Sequence, residues 1–434
     1  LSASGLPARL AALSVLSDVL RRRRPLDAAL EQHLSSAQLD SRDAGFARAI
    51  ASETLRRFGQ LDRLIAHFVP KPPAPHKAGP TLEILLAGAC ELVFLDVPAH
   101  AAVDAANRLA QRDAKAVHFR PLVNAVLRRV AAEGKSIAAG QDAGRLNTPD
   151  WLWARWCQTY DEATARAIAT AHLVPPPLDL SVKAGAQAWA DKLQARLLPN
   201  NVLRLAECER VDSLPGYDDG AWWVQDFAAS LPARLLGDVR GKSVIDLCAA
   251  PGGKTMQLAA AGANVTAVER APERLARLKQ NLARTKLSAV MIESDLRDFS
   301  PPEAADFVLL DAPCTATGTI RRHPDLPWLK SAADVTLGAQ AASELLDHAA
   351  GLVAPGGLLV FAVCSLEREE GIEQVEAFLA RHPQFAREKV SPDDVSGMDV
   401  LISPQGDLRT LPCHLAALGG MDGFYAAKLR RGSG

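Results

Sequence analysis

Apolar residues recur with a helical period through the first third of the chain. Leu13, Leu16 and Leu20 share one face, as do Leu61, Leu64, Ile65 and Phe68, and Leu85, Leu92 and Leu95 continue the pattern. Pro25, the segment Pro70 to Pro80 and Pro98 interrupt it, so residues 1–140 are expected to form an all-α bundle of ordinary helices joined by short loops. Trp151, Trp153 and Trp156 open a further helical stretch, which Pro175 to Pro177 separate from the strand-like run Leu178 to Lys183. Residues 147–238 are therefore expected to be a small α+β connector. From Gly241 the period alternates. Ser243 to Leu247, Asn264 to Val268, Ala289 to Ile292, Asp306 to Leu310 and Leu358 to Val363 read as strands, with Thr255 to Ala261, Pro272 to Thr285, Leu337 to Leu352 and Glu367 to Arg381 helical between and after them. That alternation predicts a doubly wound, mostly parallel α/β sheet over residues 239–431.

A chain of 434 residues has room for two to four cores at roughly 100 to 200 residues per domain. With 48% hydrophobic and 23% charged residues, the composition excludes disordered, collagenous and coiled-coil classes and predicts a folded soluble protein. The most apolar stretch, Ile84 to Leu95, contains Glu91 and falls short of the roughly 18 to 20 residues that span a bilayer, so no membrane partner is expected. Near the N-terminus an apolar run precedes Arg21 to Arg24 and is broken by Asp18, the reverse of a secretory signal. Cys90, Cys157, Cys208, Cys248, Cys314, Cys364 and Cys413 are scattered and never spaced C-x-x-C, which argues against a disulfide framework or metal site and for a reducing, cytoplasmic setting. The closing Gly432-Ser433-Gly434 reads as a tail with no claim on function. Charge is uneven: Lys and Arg outnumber Asp and Glu by about six before Leu146 and trail them by about seven after it. A nucleic-acid partner would be held more readily by the front segment.

Directly after the first strand of the α/β segment, Cys248, Ala249, Ala250, Pro251, Gly252, Gly253 and Lys254 form a loop of small residues that opens a helix. At the carboxyl end of a first parallel strand this is where an adenosyl cofactor lies, with glycines allowing close approach and the helix N-terminus offering free N–H groups. A P-loop reading fails because Cys248 stands where that motif requires glycine. Glu269 ends the second strand and can accept from ribose hydroxyls; Asp295, past the third, can accept from an adenine amino group. Without G-x-G-x-x-G, S-adenosylmethionine is expected over a nicotinamide dinucleotide.

Asp311-Ala312-Pro313-Cys314 follows the fourth strand and Cys364-Ser365 the fifth, so two thiols face the crevice of the cofactor loop. C5 of a pyrimidine is a poor nucleophile, and addition of a thiolate to C6 makes an enamine whose C5 can attack a sulfonium methyl. The C5 proton must then be lost and the thiolate expelled. One thiol adds and the other helps release, while Asp311 suits the exocyclic amine and N3 of the base. Lys254 is either a surface lysine at a helix start or a cation that lowers a thiol pKa and orients Asp311. Arg321-Arg322-His323-Pro324-Asp325 reads as a basic loop able to grip phosphates around an extruded base, or as an ordinary polar loop.

Together these residues resemble the bacterial ribosomal RNA cytosine-5 methyltransferases of the Sun or RsmB type, within the wider Nol1/Nop2/Sun group. The likeness covers Asp246 to Thr255, Asp311 to Cys314, Arg321 to Trp328, Cys364-Ser365 and Asp422-Gly423-Phe424-Tyr425. In the front third, Ala8 to Leu20, Pro98 to Val103 and Val123 to Arg129 are similar to the NusB-like RNA-binding domain that accompanies this type. The resemblance implies a multi-domain protein with a NusB-like bundle and a Rossmann-like methyltransferase domain. It implies that Cys364 is the nucleophile, Cys314 assists elimination and Asp311 contacts the cytosine. It also implies that residues 248–254, Glu269, Asp295 and Asp311 contact S-adenosylmethionine. The implied substrate is a cytosine of 16S rRNA, free or in an early small-subunit particle, with no DNA partner and a monomeric state. The chain departs from the family at Val363 (usually threonine), Glu370 (near asparagine), Glu269 (aspartate) and Leu180 to Lys183, which lack the usual Arg and Asn. A transfer RNA substrate is disfavoured by the NusB-like front, and a non-catalytic assembly factor by the retention of both thiols.

Overall fold

The computed structural model describes residues 5–206 and 210–433; Cys208 and Gly434, named above, lie outside them. The chain divides into two compact units, Leu1–Val174 with Ile320–Ser331, and Pro175–Thr319 with Ala332–Gly434.

The first unit is helical: α1 (Leu6–Arg22), α2 (Leu26–Ala37), α3 (Ser41–Arg56), α4 (Phe58–Phe68), α5 (Pro75–Ala78), α6 (Thr81–Val93), α7 (Ala99–Arg112), α8 (Arg120–Ala139), α9 (Ala143–Leu146), α10 (Asp150–Thr159) and α11 (Glu162–Ala171). The apolar stretch that is too short for a membrane is α6, buried from Ile84 to Leu92 as the centre of the bundle. A β-carbon at Gly88 would lie 2.7 Å from Leu127 Cδ1, so α6 and α8 approach closely there. The two acids that α6 buries are matched by arginines of α1. Arg9 pairs with Glu91 at 2.6 Å and Arg21 pairs with Glu83, which removes the cost of leaving a carboxylate unpaired in a core.

The compact unit that holds the bundle runs on past residue 140 and includes α10 and α11, where Trp156 packs on His172 at 5.4 Å and Arg56 Nη1 donates to the His172 carbonyl at 3.0 Å. Arg321–Asp325 is packed in the same unit rather than lying as a free basic loop. Arg56 Nη1 also donates to the Arg321 carbonyl (2.9 Å), Leu26 N donates to Asp325 Oδ2 (2.9 Å), and Trp328 Nε1 donates to the Leu55 carbonyl (2.9 Å). The Trp328 ring lies 4.7 Å from Phe58, and Arg321 is only 1% exposed. This distant segment completes the helical unit.

The second unit holds two sheets. The smaller is antiparallel, with β1 (Leu178–Val182), β2 (Arg196–Leu198), β3 (Val202–Leu205) and β4 (Trp222–Val224) in the order β2-β3-β1-β4, and α12 (Ala186–Leu193) beside it. The small sheet lies within the second compact unit. Arg204 forms a buried bidentate pair with Asp179 (2.6 and 2.7 Å) and donates to the carbonyls of Leu418 and Gly420, while Asp179 accepts from Phe227 N at 3.0 Å. These contacts tie the small sheet to the rest of its unit.

The larger sheet comprises β5 (Ser243–Leu247), β6 (Asn264–Glu269), β7 (Val290–Glu293), β8 (Ala305–Asp311), β9 (Val353–Val363), β10 (Phe385–Glu388), β11 (Leu408–Thr410) and β12 (Phe424–Arg431). Its order is β10-β12-β9-β8-β5-β6-β7, with β11 on β12; β5 to β9 run parallel, and β12 is antiparallel to β9. Successive side chains serve opposite faces. Leu310, Phe361 and Val363 enter one core with the helices Ala332–Gly351 and Ile372–Arg381, whereas Leu309, Val360 and Ala362 enter another with α13 (Phe227–Arg234). The helices α14 (Gly253–Ala260) and α15 (Pro272–Thr285) make the two crossovers β5-α14-β6 and β6-α15-β7. The last helix begins at Ile372, later than the expected Glu367, because residues 368–371 form a turn that buries Glu370 and Gly371.

Candidate active site

Five parallel strands ending at one sheet edge place the residues that follow them side by side. The loop after β5 turns through left-handed backbone at Cys248 (φ 60°) and Gly252 (φ 106°), and the Ala250–Pro251 peptide is cis. A β-carbon at Gly252 would sit 2.3 Å from Leu278 Cδ1, so glycine is required both by conformation and by the closeness of α15. Asp246, wholly buried at the end of β5, accepts from Thr255 Oγ1 at 2.6 Å and so fastens the strand to the first turn of α14. Burial pushes its carboxyl up to about 7. Burial likewise raises the Cys248 thiol to about 12, with the negative charges of Asp311 and Glu269 adding to the effect.

At the end of β6, Glu269 is buried. Its Oε1 accepts from Ala271 N (3.1 Å), and among the described residues Oε2 has no hydrogen-bond partner, although Arg274 Nη1 lies 3.4 Å away as an ion pair. A hydroxyl entering here would find an acceptor already desolvated, so the residues present fit the ribose of an adenosyl cofactor. Asp295, past β7, is placed differently from the expected free acceptor. It caps the turn Leu296–Asp298 and makes a bidentate pair with Arg297 (2.9 and 2.8 Å), which holds its carboxyl far below the usual range. A cofactor amine would have to share its oxygens with that guanidinium.

Lys254 and Asp311 are brought together: Lys254 Nζ donates to Asp311 Oδ2 at 2.7 Å and lies 5.2 Å from the Phe424 ring. Lys254 is buried, which works against its ammonium form, but the charges of Asp311, Asp246 and Cys364 outweigh this and leave its pKa raised. Lys254 is therefore buried and paired with Asp311 rather than lying on the surface. Cys314 and Cys364 also meet, with their sulfurs 3.5 Å apart. The hydrogen bond to Cys364 raises the Cys314 thiol well above its ordinary value, and burial adds to the shift.

The loops carrying the thiols are laced together. Gly318 N donates to the Cys364 carbonyl (3.0 Å), Gly423 N donates to the Gly318 carbonyl (2.8 Å), and Arg409 Nη1 donates to the Ser365 carbonyl (2.7 Å). A β-carbon at Gly318 would fall 1.9 Å from the Gly423 carbonyl oxygen. Sequence reasoning missed Arg409 and the structural role of Asp246, and it noted Glu370 only as a departure. Glu370 proves to be buried between Thr315 and Ser365. A cavity of about 480 Å³ in the same unit, lined by Lys183, Asn200, Arg234, Gln257 and Asp394, includes none of the cofactor-loop residues or cysteines named above.

Comparison with known proteins agrees with this architecture. The family described as "16S rRNA methyltransferase RsmB/F" matches residues 233–430, and the "NusB family" matches residues 6–132. The ribosomal RNA small subunit methyltransferase B of Pseudomonas putida is 37% identical over 97% of this chain and 98% of its own length. That of Vibrio vulnificus is 34% identical, again over 97% and 98%. Among solved structures, PH0851 shares the fold across 99% of both chains with a TM-score of 0.78 at 22% identity. NSun6 from Pyrococcus horikoshii covers 65% of this chain and 98% of its own, with a TM-score of 0.55 at 19% identity. A NusB-family helical segment followed by this methyltransferase sheet, matched along nearly the whole length of such relatives, establishes that the chain belongs to the RsmB/F family of ribosomal RNA small subunit methyltransferases.

Proposed function

We propose that this chain methylates C5 of a cytosine in 16S rRNA, using S-adenosylmethionine and a transient bond between Cys364 and C6 of the base. The observation that carries the reading is the pair of thiols 3.5 Å apart at neighbouring strand ends, in the unit where Lys254 is bonded to Asp311. A methyltransferase acting on a nitrogen or oxygen already has its nucleophile in the substrate. A thiol that adds to the base is called for where a ring carbon must be made nucleophilic, and a second group must then take the C5 proton.

Residues 248–254 and Glu269 would hold the cofactor, with Asp295 and Asp311 at its margins. When bound, S-adenosylmethionine supplies an electrophilic methyl group. Asp311, held by Lys254, accepts from the exocyclic amine of the cytosine, and the positive charge of Lys254 beside it offsets the negative charge that develops on the ring at N3. The Cys364 sulfur forms a bond to C6, and the electrons of the C5–C6 double bond become available at C5 for bonding to carbon. This addition turns a thiolate into a thioether. The hydrogen bond that raised the Cys314 thiol is thereby lost, and Cys314 can release its proton to solvent. It then takes up the C5 proton, the C5–C6 double bond re-forms, and the S–C6 bond breaks to return the Cys364 thiolate.

The test is methyl transfer from S-adenosylmethionine labelled in its methyl group to unmodified 16S RNA, followed by digestion to nucleosides. The label is expected in 5-methylcytidine for the unaltered protein and absent for Cys364→Ala. Label in any other nucleoside, or undiminished transfer by Cys364→Ala, would overturn the proposal.

A further inference from the structure

Glu370 is fully buried, and no step of the chemistry above uses it. Its Oε1 accepts from Thr315 N at 2.8 Å, and its Oε2 accepts from the hydroxyls of both Thr315 and Ser365 at 2.5 Å. Thr315 follows Cys314 and Ser365 follows Cys364, so one carboxylate is bonded to the residue next to each thiol. Further bonds extend the clamp. Ser365 Oγ accepts from Glu367 N (3.1 Å), and Thr317 Oγ1 accepts from Leu366 N (3.0 Å).

A second, independent feature makes room for this carboxylate. Gly338 lies inside the helix Ala332–Gly351, where glycine is less favourable than alanine. A β-carbon there would fall 2.2 Å from Glu370 Oε1 and 3.8 Å from the Cys314 Cα. A helix that forgoes a side chain at this one point gains a notch into which the acid fits.

We propose that Glu370, seated in the notch at Gly338, is a positioning residue that fixes the two cysteine-bearing turns against each other and separates the roles of their thiols. This rests on the thiol chemistry proposed above. The geometry supplies the first effect, because a carboxylate accepting from both turns at once holds the sulfurs at contact distance. Charge supplies the second, because the carboxylate's field disfavours a thiolate at Cys314 and adds to the burial and hydrogen bonding that keep Cys314 protonated until Cys364 has reacted. The burial of Glu370 raises its own pKa, and the hydrogen bonds from Ser365 and Thr315 oppose that rise.

The experiment uses the full chain in four forms: unaltered, Glu370→Gln, Glu370→Ala and Gly338→Ala. The rate at which iodoacetamide alkylates Cys314 and Cys364 is followed against pH by mass spectrometry of the peptides, alongside kcat and KM for 16S RNA. Glu370→Gln keeps the shape but removes the charge, so the Cys314 profile should move to lower pH. Glu370→Ala and Gly338→Ala should each lower kcat by tenfold or more with KM within about twofold, the second by displacing an intact Glu370. A purely structural role would not move the Cys314 profile. Unchanged profiles and unchanged kcat in all three variants would overturn the proposal. Alkylation needs no RNA, so a shifted profile would stand even if the unaltered protein transferred methyl groups without a cysteine adduct, an outcome that would remove the covalent reading alone.

Discussion

Single residues in this protein are legible from the sequence where their chemistry is local. The loop proposed to hold the cofactor stands out by its small residues between a strand and a helix, and Cys314 and Cys364 by their places just past two strands. Glu370 carries no such mark. Its partners lie 55 residues before it and 5 before it, and only the folded chain shows that one acid serves both. Asp246 is similar: a carboxylate at the end of a strand suggests a ligand contact, yet its visible partner is Thr255. Its environment makes a testable claim. The folded state holds the Asp246 proton up to about pH 7, whereas an ordinary aspartate loses it near 3.8, so this residue favours folding fully at low pH and progressively less as pH rises through that window. Asp246→Asn does not titrate. Its unfolding free energy, measured by denaturant melts between pH 4 and 7, should therefore gain on that of the unaltered protein as pH rises. A difference independent of pH would contradict the assignment.

Elements were legible in proportion to their periodicity. The parallel strands β5 to β9 alternate visibly with helices, and α6 is apolar enough to be recognised as a core element. The short strands β2 to β4 and β10 and β11, of three or four residues each, have too little length to show a period. The loop Arg321–Asp325 reads either as a phosphate grip, because it is basic, or as an ordinary polar loop, but the Arg321 carbonyl and, just beyond, the Trp328 ring are what the helical unit uses. Contacts such as Arg56 with Arg321, 265 residues apart, leave no trace in a local pattern. Trp328→Ala removes the ring on Phe58 and the hydrogen bond to the Leu55 carbonyl. It should destabilise the helical unit by about 3 kcal/mol, read as earlier exchange of amide hydrogens in α3 and α4. Exchange unchanged in those helices would show that the segment only rests there.

At the scale of the whole molecule, the discontinuous make-up of the helical unit has a consequence for dissection. A chain beginning at Pro175 keeps the strands of both sheets but leaves Ile320–Ser331 without the helices it packs among. Arg321, Pro327 and the Trp328 ring would become solvent-facing. Such a fragment should melt at a lower temperature and aggregate sooner than the full chain, by calorimetry and light scattering. Equal stability would mean that the segment does not depend on those helices. The uneven charge matters at this scale too. Because phosphate contacts release counterions, RNA affinity should fall steeply with salt, and Lys and Arg are in excess before Leu146.

The central claim is that Cys364 bonds to the base and Cys314 is needed to release it. Cys314→Ala should still add to cytosine but free it poorly. We would mix this variant with unmodified 16S RNA and S-adenosylmethionine and run the products on a denaturing gel, with Cys314→Ala/Cys364→Ala as the control. A protein–RNA band that survives denaturation for the single variant and vanishes for the double is the predicted result. Absence of that band, together with methyl transfer that continues in Cys364→Ala, would contradict it.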